Sequence, residues 1–424
     1  MTTDCQSLSN SKVSQIQLSE RPVVENKTAE KLSRDTLQAG GAVLLLPGLL
    51  ATITAQAADQ AADQTADQTT GNRLPCLSRL LSRAEALRLP GAGKHAHSLE
   101  SLVSESLSSE GLSSEGQASD VKNAGVSLLT YQQDFGDREP ASHKAAVNVL
   151  RADPVYQQLD MHSATLGDPS MLDLDRAESQ SLLDTLNQHF ADDGLWFENQ
   201  SPARWYVHFD ELPDVETTPV SVAVGCDVAL CRPQGPDARS WRRQLAEVEM
   251  LLYEHPVNLH RQSAGKLPVN SLWLWGEGQQ RVDSSAAGST ALPAGLPDSI
   301  SIATDHFYAQ CVASHLQLPV SSLEQLESPS FDCSSKSLLV VAESLALSAV
   351  TSDVEKHLQN LQMLEQIVCR TLWPNLGKRG WPMILIWVGD QRFYHVEAGA
   401  KRKFWRRSKP LITFVDNAEL YDNN

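Results

Sequence analysis

The sequence lacks the short motifs that mark the common enzyme classes. No GxSxG nucleophile turn, GxGxxG dinucleotide loop, GxxxxGK[ST] phosphate loop, HExxH zinc pair or EF-hand spacing occurs in its 424 residues. Seven cysteines are present, but none belongs to a CxxC pair and their number is odd. This pattern argues against a zinc site and favours a reducing cytoplasm as the location.

Positive charge is also scarce, and long apolar runs are missing. Lys and Arg number 35 against 52 Asp and Glu, so the net charge is -17 and repels nucleic acid and anionic membrane surfaces. The apolar run AVLLLPGLL at 42–50 is far shorter than the roughly 20 residues of a membrane helix. We therefore expect no nucleic-acid partner, no membrane partner and no signal peptide.

Aromatic residues are unevenly distributed along the chain. No tryptophan precedes Trp196, and residues 1–38 are polar without any aromatic residue, which predicts a disordered leader. AADQ repeats at about 55–70 and LSSEG repeats within about 91–120 are low-complexity insertions. Most of the residues that can build a hydrophobic core therefore lie after residue 145.

What the sequence does contain is an alternation of short apolar runs and amphipathic stretches. Helical spacing of apolar residues predicts three helices, at 176–190, 240–254 and 354–372. Short β-branched or aromatic runs predict buried strands at 42–50, 221–230, 271–276, 337–342 and 383–388. Strands separated by helices predict an α/β fold with a mostly parallel sheet.

One stretch concentrates residues that could hold a ligand. HPVNLHRQSAGKLPVNSLWLWGEG, residues 255–278, follows a helix that Pro256 should end, which leaves His255, Asn258 and Arg261 in the connection. Together with Asn270 they offer donors for a phosphate or carboxylate. The same residue types also fix turns, and tryptophans in a strand are usually core. The sequence therefore leaves open whether this stretch is a ligand site or a structural element.

This stretch resembles a segment of the archaeal-type, cofactor-independent phosphoglycerate mutases of the alkaline phosphatase superfamily. It resembles still more closely a bacterial family of regulatory proteins of the RpfE type. That second resemblance extends over about residues 145–410, through strings that share one order with the family: LRADPVYQQLD (150–160), ARWYVHFD (203–210), PQGPDARSWRRQL (233–245) and FWRRSKP (404–410).

The resemblance implies a three-layer α/β core with an inserted smaller α/β lobe. The core would comprise residues 39–145 and 268–424, and the lobe residues 146–267. It also implies that Arg204 converges with His255, Asn258 and Arg261 on one anion-holding cleft of the lobe.

The mutases use a serine nucleophile and two metal ions held by Asp and His side chains. The strand at 42–53 carries no acidic residue, and Asp390 after the last core strand is followed by Gln391 instead of His. The pair Asp305-His306 falls where the family has an unrelated surface helix, and His357 with its acidic neighbours is typical of a solvated helix face. We therefore expect no metal and no cofactor.

A basic and aromatic run near the C-terminus is a second candidate. Such a run can bind an anion or a partner, or form an internal salt-bridged edge. Its basic residues are Lys401, Arg402, Lys403, Arg406 and Arg407.

The expected function is that of a catalytically degenerate, cytoplasmic, bacterial relative of the mutases. It would be regulatory, and its partner would be a small phosphorylated or carboxylated metabolite. An active metal-dependent mutase-like enzyme and a protein-interaction module without a small ligand are the alternatives.

Overall fold

The computed structural model describes residues 29–50, 74–88, 98–107, 121–136, 148–161, 163–277, 299–328, 331, 337–351, 353–377, 381–389, 391–403, 405–409, 411 and 414. The strands are β1 (Ala42–Leu45), β2 (Glu85–Arg88), β3 (Val149–Val155), β4 (Gln157–Leu159), β5 (Ala164–Leu166), β6 (Trp196–Ser201), β7 (Arg204–His208), β8 (Ser271–Trp275), β9 (Ile300–Thr304), β10 (Val320–Ser321), β11 (Ser337–Val341), β12 (Met383–Trp387) and β13 (Arg392–Glu397).

The helices are α1 (Ala29–Gln38), α2 (Pro75–Arg83), α3 (Leu99–Ser106), α4 (Val121–Phe135), α5 (Arg176–His189), α6 (Val220–Ala223), α7 (Ala238–Tyr253), α8 (Pro256–Ser263), α9 (Phe307–His315), α10 (Leu323–Glu327), α11 (Glu343–Val350), α12 (Val354–Ile367) and α13 (Trp373–Asn375). A π-helical segment, Val368–Leu372, joins α12 to α13. In these ranges no helix combines the length and the apolar character that a membrane crossing needs.

A seven-stranded sheet forms the centre of the molecule, in the order β10-β9-β11-β1-β12-β13-β2. The first five strands are parallel, and β13 runs antiparallel to both of its neighbours. Val43 of β1 lies between Leu339 of β11 and Leu385 of β12. The predicted α/β class with a mostly parallel sheet is therefore confirmed.

Side-chain alternation along the central strands builds two apolar faces, as the period of two in a strand requires. Leu44 and Val340 pack with α2, α10, α11 and α12 on one face. Val43 and Leu339 pack with α1, α3, α4 and α9 on the other. Helix, sheet and helix therefore form the three predicted layers.

The smaller lobe is built on an antiparallel four-stranded sheet in the order β6-β7-β3-β8. Apolar residues of one face, including Trp205 and Leu274, pack against α5 and α7. Strand β8 pairs with β3 from Arg151↔Trp275 to Val155↔Ser271. It thus belongs to the lobe sheet, whereas the sequence analysis began the core at residue 268.

Two predicted segments are corrected at the level of secondary structure. The apolar run 221–230 is not a strand: it forms α6 and a short 3-10 turn, Val228–Leu230. Its apolar residues Ala223 and Val228 pack beneath Trp273 and Trp275, so they bury surface without joining a sheet. Apolar composition alone cannot distinguish these two outcomes.

The predicted disordered leader, 1–38, is wrong for its last ten residues. These residues form α1, whose Leu37 is fully buried, and the hydroxyl of Ser337 donates to the Leu37 carbonyl at 2.6 Å. Residues 1–28 lie outside the described part of the chain.

The low-complexity segment 91–120 likewise contains a packed helix, α3. Ser98 caps it by accepting from the Ser101 amide at 2.9 Å, and Leu102 and Val103 are fully buried. The repeats at 55–70 lie outside the described residues.

Candidate functional site

The carboxyl ends of the parallel strands bring together side chains that are far apart in sequence. Asp305 and His306 follow β9, Glu343 follows β11, and Glu100 reaches the same place from α3. Ligands of open α/β sheets bind at this edge. It is the candidate functional site, and we call these four residues the edge cluster.

His306 is the centre of the edge cluster. It is buried, and its Nε2 lies 3.7 Å from Glu100 Oε1 and 4.0 Å from Glu343 Oε1. Burial lowers the pKa of His306, but the charges of Glu343 and Glu100 outweigh it and raise that pKa above its ordinary value. The two carboxylates therefore favour the protonated form of the His306 ring.

The pKa values of Glu100 and Glu343 are shifted in opposite directions. Burial acts to raise the pKa of Glu100, but pairing with His306 outweighs it, and the pKa is lowered. Burial and the neighbouring carboxylates raise the pKa of Glu343, although His306 opposes them. The ionised form is therefore favoured for Glu100, whereas Glu343 protonates more readily than an ordinary glutamate.

Asp305 and Glu100 of the edge cluster also make hydrogen bonds within the fold, whereas His306 Nδ1 is buried without a hydrogen-bond partner among the described residues. Both oxygens of Asp305 accept backbone N–H groups at the start of α11, from Glu343 at 2.7 Å and from Ser344 at 3.1 Å. The hydroxyl of Ser221, from the lobe, donates to Glu100 Oε2 at 2.8 Å. The edge cluster therefore caps a helix and ties the lobe to the core.

The sequence analysis placed Asp305-His306 on a surface helix, and this is corrected. Asp305 is exposed, but His306 is buried and precedes α9. His357, expected on a solvated face, is also fully buried; its Nδ1 lies 3.0 Å from Ser348 Oγ, and burial lowers its pKa.

In the stretch 255–278, the first three candidate residues have structural roles. Pro256 ends α7 but opens a second helix, α8, so Asn258 and Arg261 do not lie in a connection. His255 is the N-cap of α8: its Nδ1 accepts from the Val257 amide at 3.2 Å, and its Nε2 lies 2.9 Å from Thr185 Oγ1. Burial lowers the pKa of His255, which keeps the ring neutral.

Asn258 and Arg261 are buried with protein partners on every side. The Asn258 amide donates to the carbonyls of Leu252 and Val269 at 2.7 Å and accepts from the Val269 amide at 2.9 Å. Arg261, fully buried, donates to Glu178 at 2.5 Å and to the carbonyls of Leu267 and Leu172.

Asn270 and Arg204 are also engaged. Asn270 exchanges two hydrogen bonds with the backbone of Gln157, at 2.7 and 2.9 Å. Arg204 forms a bidentate ion pair with Asp134 of α4, with N–O distances of 2.6 and 2.7 Å. Its Cζ atom lies 3.6 Å from the centroid of the Phe307 ring.

The predicted convergence of Arg204 with Arg261 is corrected by the pleat of the lobe sheet. Trp205, the neighbour of Arg204, packs on the face that carries α5 and α7, so Arg204 points to the opposite face. Arg261 bonds to Glu178 of α5. The sheet lies between the two arginines, and they form no common cleft.

The face that carries Arg204 holds a polar network that the sequence analysis missed. Arg151 pairs with Asp153 at 2.7 Å and stacks over Tyr206 and Trp275, and the Trp275 indole donates to Asp153 at 2.7 Å. The Tyr206 hydroxyl donates to Asp134 at 2.6 Å. The alternation of LRADPV, with Arg151 and Asp153 on one face, was the available signal.

The basic run near the C-terminus forms a mixed surface. Lys401 donates to the Pro374 carbonyl at 3.0 Å and lies 6.0 Å from the Trp373 ring, whereas Arg402, Arg406 and Arg407 are exposed and Lys403 is half-buried. No finding assigns it a ligand, and it stays a prediction.

The two-metal set of the mutases does not fit the described residues at this edge. After β1, Gly48 packs so tightly on α11 that a Cβ there would lie 2.8 Å from the Leu345 carbonyl oxygen. Both oxygens of Asp305 accept amides, and His306 Nε2 lies 3.7 Å from the Glu100 carboxylate, although His306 Nδ1 has no hydrogen-bond partner in the described part of the chain. Asp390 lies outside the described residues.

Elsewhere in the described chain, one group of three donors lies within 4.8 Å: Cys76, Glu365 and Cys369. The two cysteines form a disulfide, a pairing that sequence spacing could not reveal. Disulfides are rare in a reducing cytoplasm, so the predicted location stays a prediction.

Comparison with known proteins gives a consistent distant relationship. No family model matches the chain. It is 29% identical over 165 residues to a 2,3-bisphosphoglycerate-independent phosphoglycerate mutase of Methanosarcina mazei, and 34% identical over 107 residues to one of Methanothermobacter thermautotrophicus. The chain is distantly related to these mutases.

The extent of the match is limited. The aligned parts cover 37% and 25% of this chain, and they span only 41% and 27% of the length of those relatives. Among solved structures, a cofactor-independent phosphoglycerate mutase from Thermoplasma acidophilum gives a TM-score of 0.30 at 13% identity, covering 85% of this chain and 90% of its own. A protein from Pyrococcus horikoshii gives 0.40 at 9%, covering 84% and 87%.

Proposed function

We propose that this protein is a catalytically degenerate relative of the phosphoglycerate mutases, of the bacterial regulatory, RpfE-like kind, that acts without chemistry of its own. The proposal rests on one observation: the side chains that were predicted to hold a ligand are hydrogen-bonded to other protein atoms. His255, Asn258, Arg261, Asn270 and Arg204 all bond to protein atoms. A phosphate would have to displace these bonds, each worth about 0.5–3 kcal/mol.

The charge of the edge cluster supports the same proposal. Glu100, Asp305 and Glu343 place three carboxylates around one histidine at the edge where such folds bind ligands. A phosphorylated acid brings further negative charge to this place and is repelled. Of the three functions left open by the sequence, action through a protein partner is therefore favoured over binding of an anionic metabolite.

Calorimetric titration of the full chain with 3-phosphoglycerate, 2-phosphoglycerate and inorganic phosphate tests this proposal. We expect no heat of binding up to millimolar ligand, because the donors are occupied. Saturable binding of any of the three in the parent, lost in Arg204→Ala or Arg261→Lys, would replace the partner proposal by the metabolite-binding one.

A further inference from the structure

The disulfide lies between two elements of the core that are remote in sequence. Cys76 is in the first turn of α2, and Cys369 is in the π-helical segment after α12, 293 residues further on. Both cysteines are half-buried, so reagents can reach them. π-helical insertions in α-helices are often associated with functional sites.

A buried carboxylate is fixed beside the two sulfur atoms. Glu365 is 4% exposed, and its two oxygens accept the backbone N–H groups of Cys76 at 2.6 Å and Leu77 at 2.8 Å. Oε1 lies 3.5 Å from Cys369 Sγ. Because two amides hold the carboxylate, it keeps this position whether or not the sulfurs are joined.

The three donors match the ligand set of a tetrahedral zinc ion. The two sulfurs and one carboxylate oxygen lie within 4.8 Å of one another. Tetrahedral zinc with Zn–S bonds of about 2.3 Å places two sulfurs about 3.8 Å apart, so the disulfide must open before zinc can enter. The amino-terminal end of α2 favours the thiolate form of Cys76.

From this geometry we propose that Cys76, Cys369 and Glu365 form a redox-gated zinc site. A dithiol reductant opens the disulfide in two steps: its first thiolate attacks Cys369 Sγ and Cys76 leaves as a thiolate, and its second thiolate then attacks its own sulfur in the mixed disulfide so that Cys369 leaves as a thiolate. The reductant ends as its own cyclic disulfide, and its two protons pass to the cysteines or to water. The two cysteines then bind Zn²⁺ as thiolates and release their protons, and Glu365 is the third ligand. Water or an exchangeable ligand completes the tetrahedron.

The site is distinct from the edge cluster and goes beyond the proposed function. It makes the attachment of α2 to the π-helical segment depend on redox state: covalent when oxidised, metal-mediated when reduced. The expectation of no metal, which rested on sequence spacing, is replaced by this proposal.

Native mass spectrometry of the full chain with added Zn²⁺ tests the site. We expect one zinc per chain after reduction with a phosphine and its removal, and none in the oxidised protein. Cys76→Ser and Cys369→Ser should each lose this zinc, whereas Cys226→Ser should keep it. The last variant is the matched control, because Cys226 lies in the lobe, outside the disulfide, where its thiol donates to the Val222 carbonyl.

Three further measurements keep the test independent of misfolding. Co²⁺ added to the reduced parent should give a thiolate-to-cobalt charge-transfer band, and Glu365→Gln should weaken zinc binding by at least about tenfold. Zinc should also raise the melting temperature of the reduced protein and leave that of the oxidised protein unchanged. A reduced parent that binds no zinc, or zinc that persists in Cys76→Ser, overturns the proposal.

Discussion

Arg261 and Glu178 form an ion pair of 2.5 Å inside the lobe, and the arginine side chain is completely inaccessible to solvent. The same guanidinium satisfies two backbone carbonyls. Its role is therefore to join α8 to α5 and to the segment that leads into β8.

Arg261→Ala should lower the free energy of unfolding by about 3–5 kcal/mol, because it removes the partner of the part-buried Glu178 carboxylate, which keeps only the Asp175 amide there, and leaves the Leu172 and Leu267 carbonyls without their donor. Chemical denaturation measures this loss. Arg243→Ala, on the exposed side of α7, is the matched control and should cost less than about 1 kcal/mol. Equal effects of the two changes would show that Arg261 does not hold the lobe together.

Much of the architecture could be predicted because it depends on local patterns. The continuous apolar run SLLVV forms a strand buried on both faces, and the helical spacing from Val354 to Leu372 forms a helix that continues into the π-helical segment. The site could not be predicted in the same way. Whether Arg261 faces a cleft or a carboxylate depends on Glu178, which is 83 residues away.

The two helices that the sequence did not predict, α1 and α3, have a similar explanation. Glu100 lies in a Ser- and Glu-rich segment whose composition indicates no fixed structure, and it gains its position only from contact with His306 and Ser221. The α1 helix is not evident from the sequence because its buried face is largely polar: Ser33 and Thr36 are buried beside Leu37.

Deletion of residues 1–38 should lower the melting temperature, since it removes Leu37 from the core and the carbonyl that Ser337 binds. Deletion of residues 1–28 is the control, because it spares α1. Differential scanning calorimetry of both proteins checks the prediction. If the two deletions melt alike, α1 does not stabilise the core.

Asp305→Ala should cost about 0.5–2 kcal/mol, the range for loss of a helix cap, because both of its oxygens accept amides at the start of α11. Asp305→Asn should cost less, since the amide oxygen still accepts one bond. Urea unfolding of the two variants gives the comparison. A loss in Asp305→Asn as large as in Asp305→Ala would argue for a role of the charge beyond capping.

His306 should make stability depend on pH in a defined direction. The pKa of His306 is raised in the folded protein. Its contribution to the free energy of unfolding is therefore fully present below about pH 6.5, the ordinary pKa of histidine in an unfolded chain, and is lost as the pH rises through the pKa of the folded protein. His306→Asn should therefore flatten the fall in the free energy of unfolding as the pH rises above about 6.5. Urea unfolding of the parent and of His306→Asn over this pH range checks the prediction, and an equal dependence of stability on pH in the two proteins would contradict it.

The central claim is that the edge cluster caps and closes the fold instead of carrying out phosphoryl transfer. The most direct measurement is the interconversion of 3-phosphoglycerate and 2-phosphoglycerate by the full chain, followed by phosphorus NMR with Mn²⁺ supplied in excess. The account predicts no turnover above that of the buffer, with the protein oxidised or reduced. Metal-dependent turnover by the parent that is abolished in His306→Asn would contradict it.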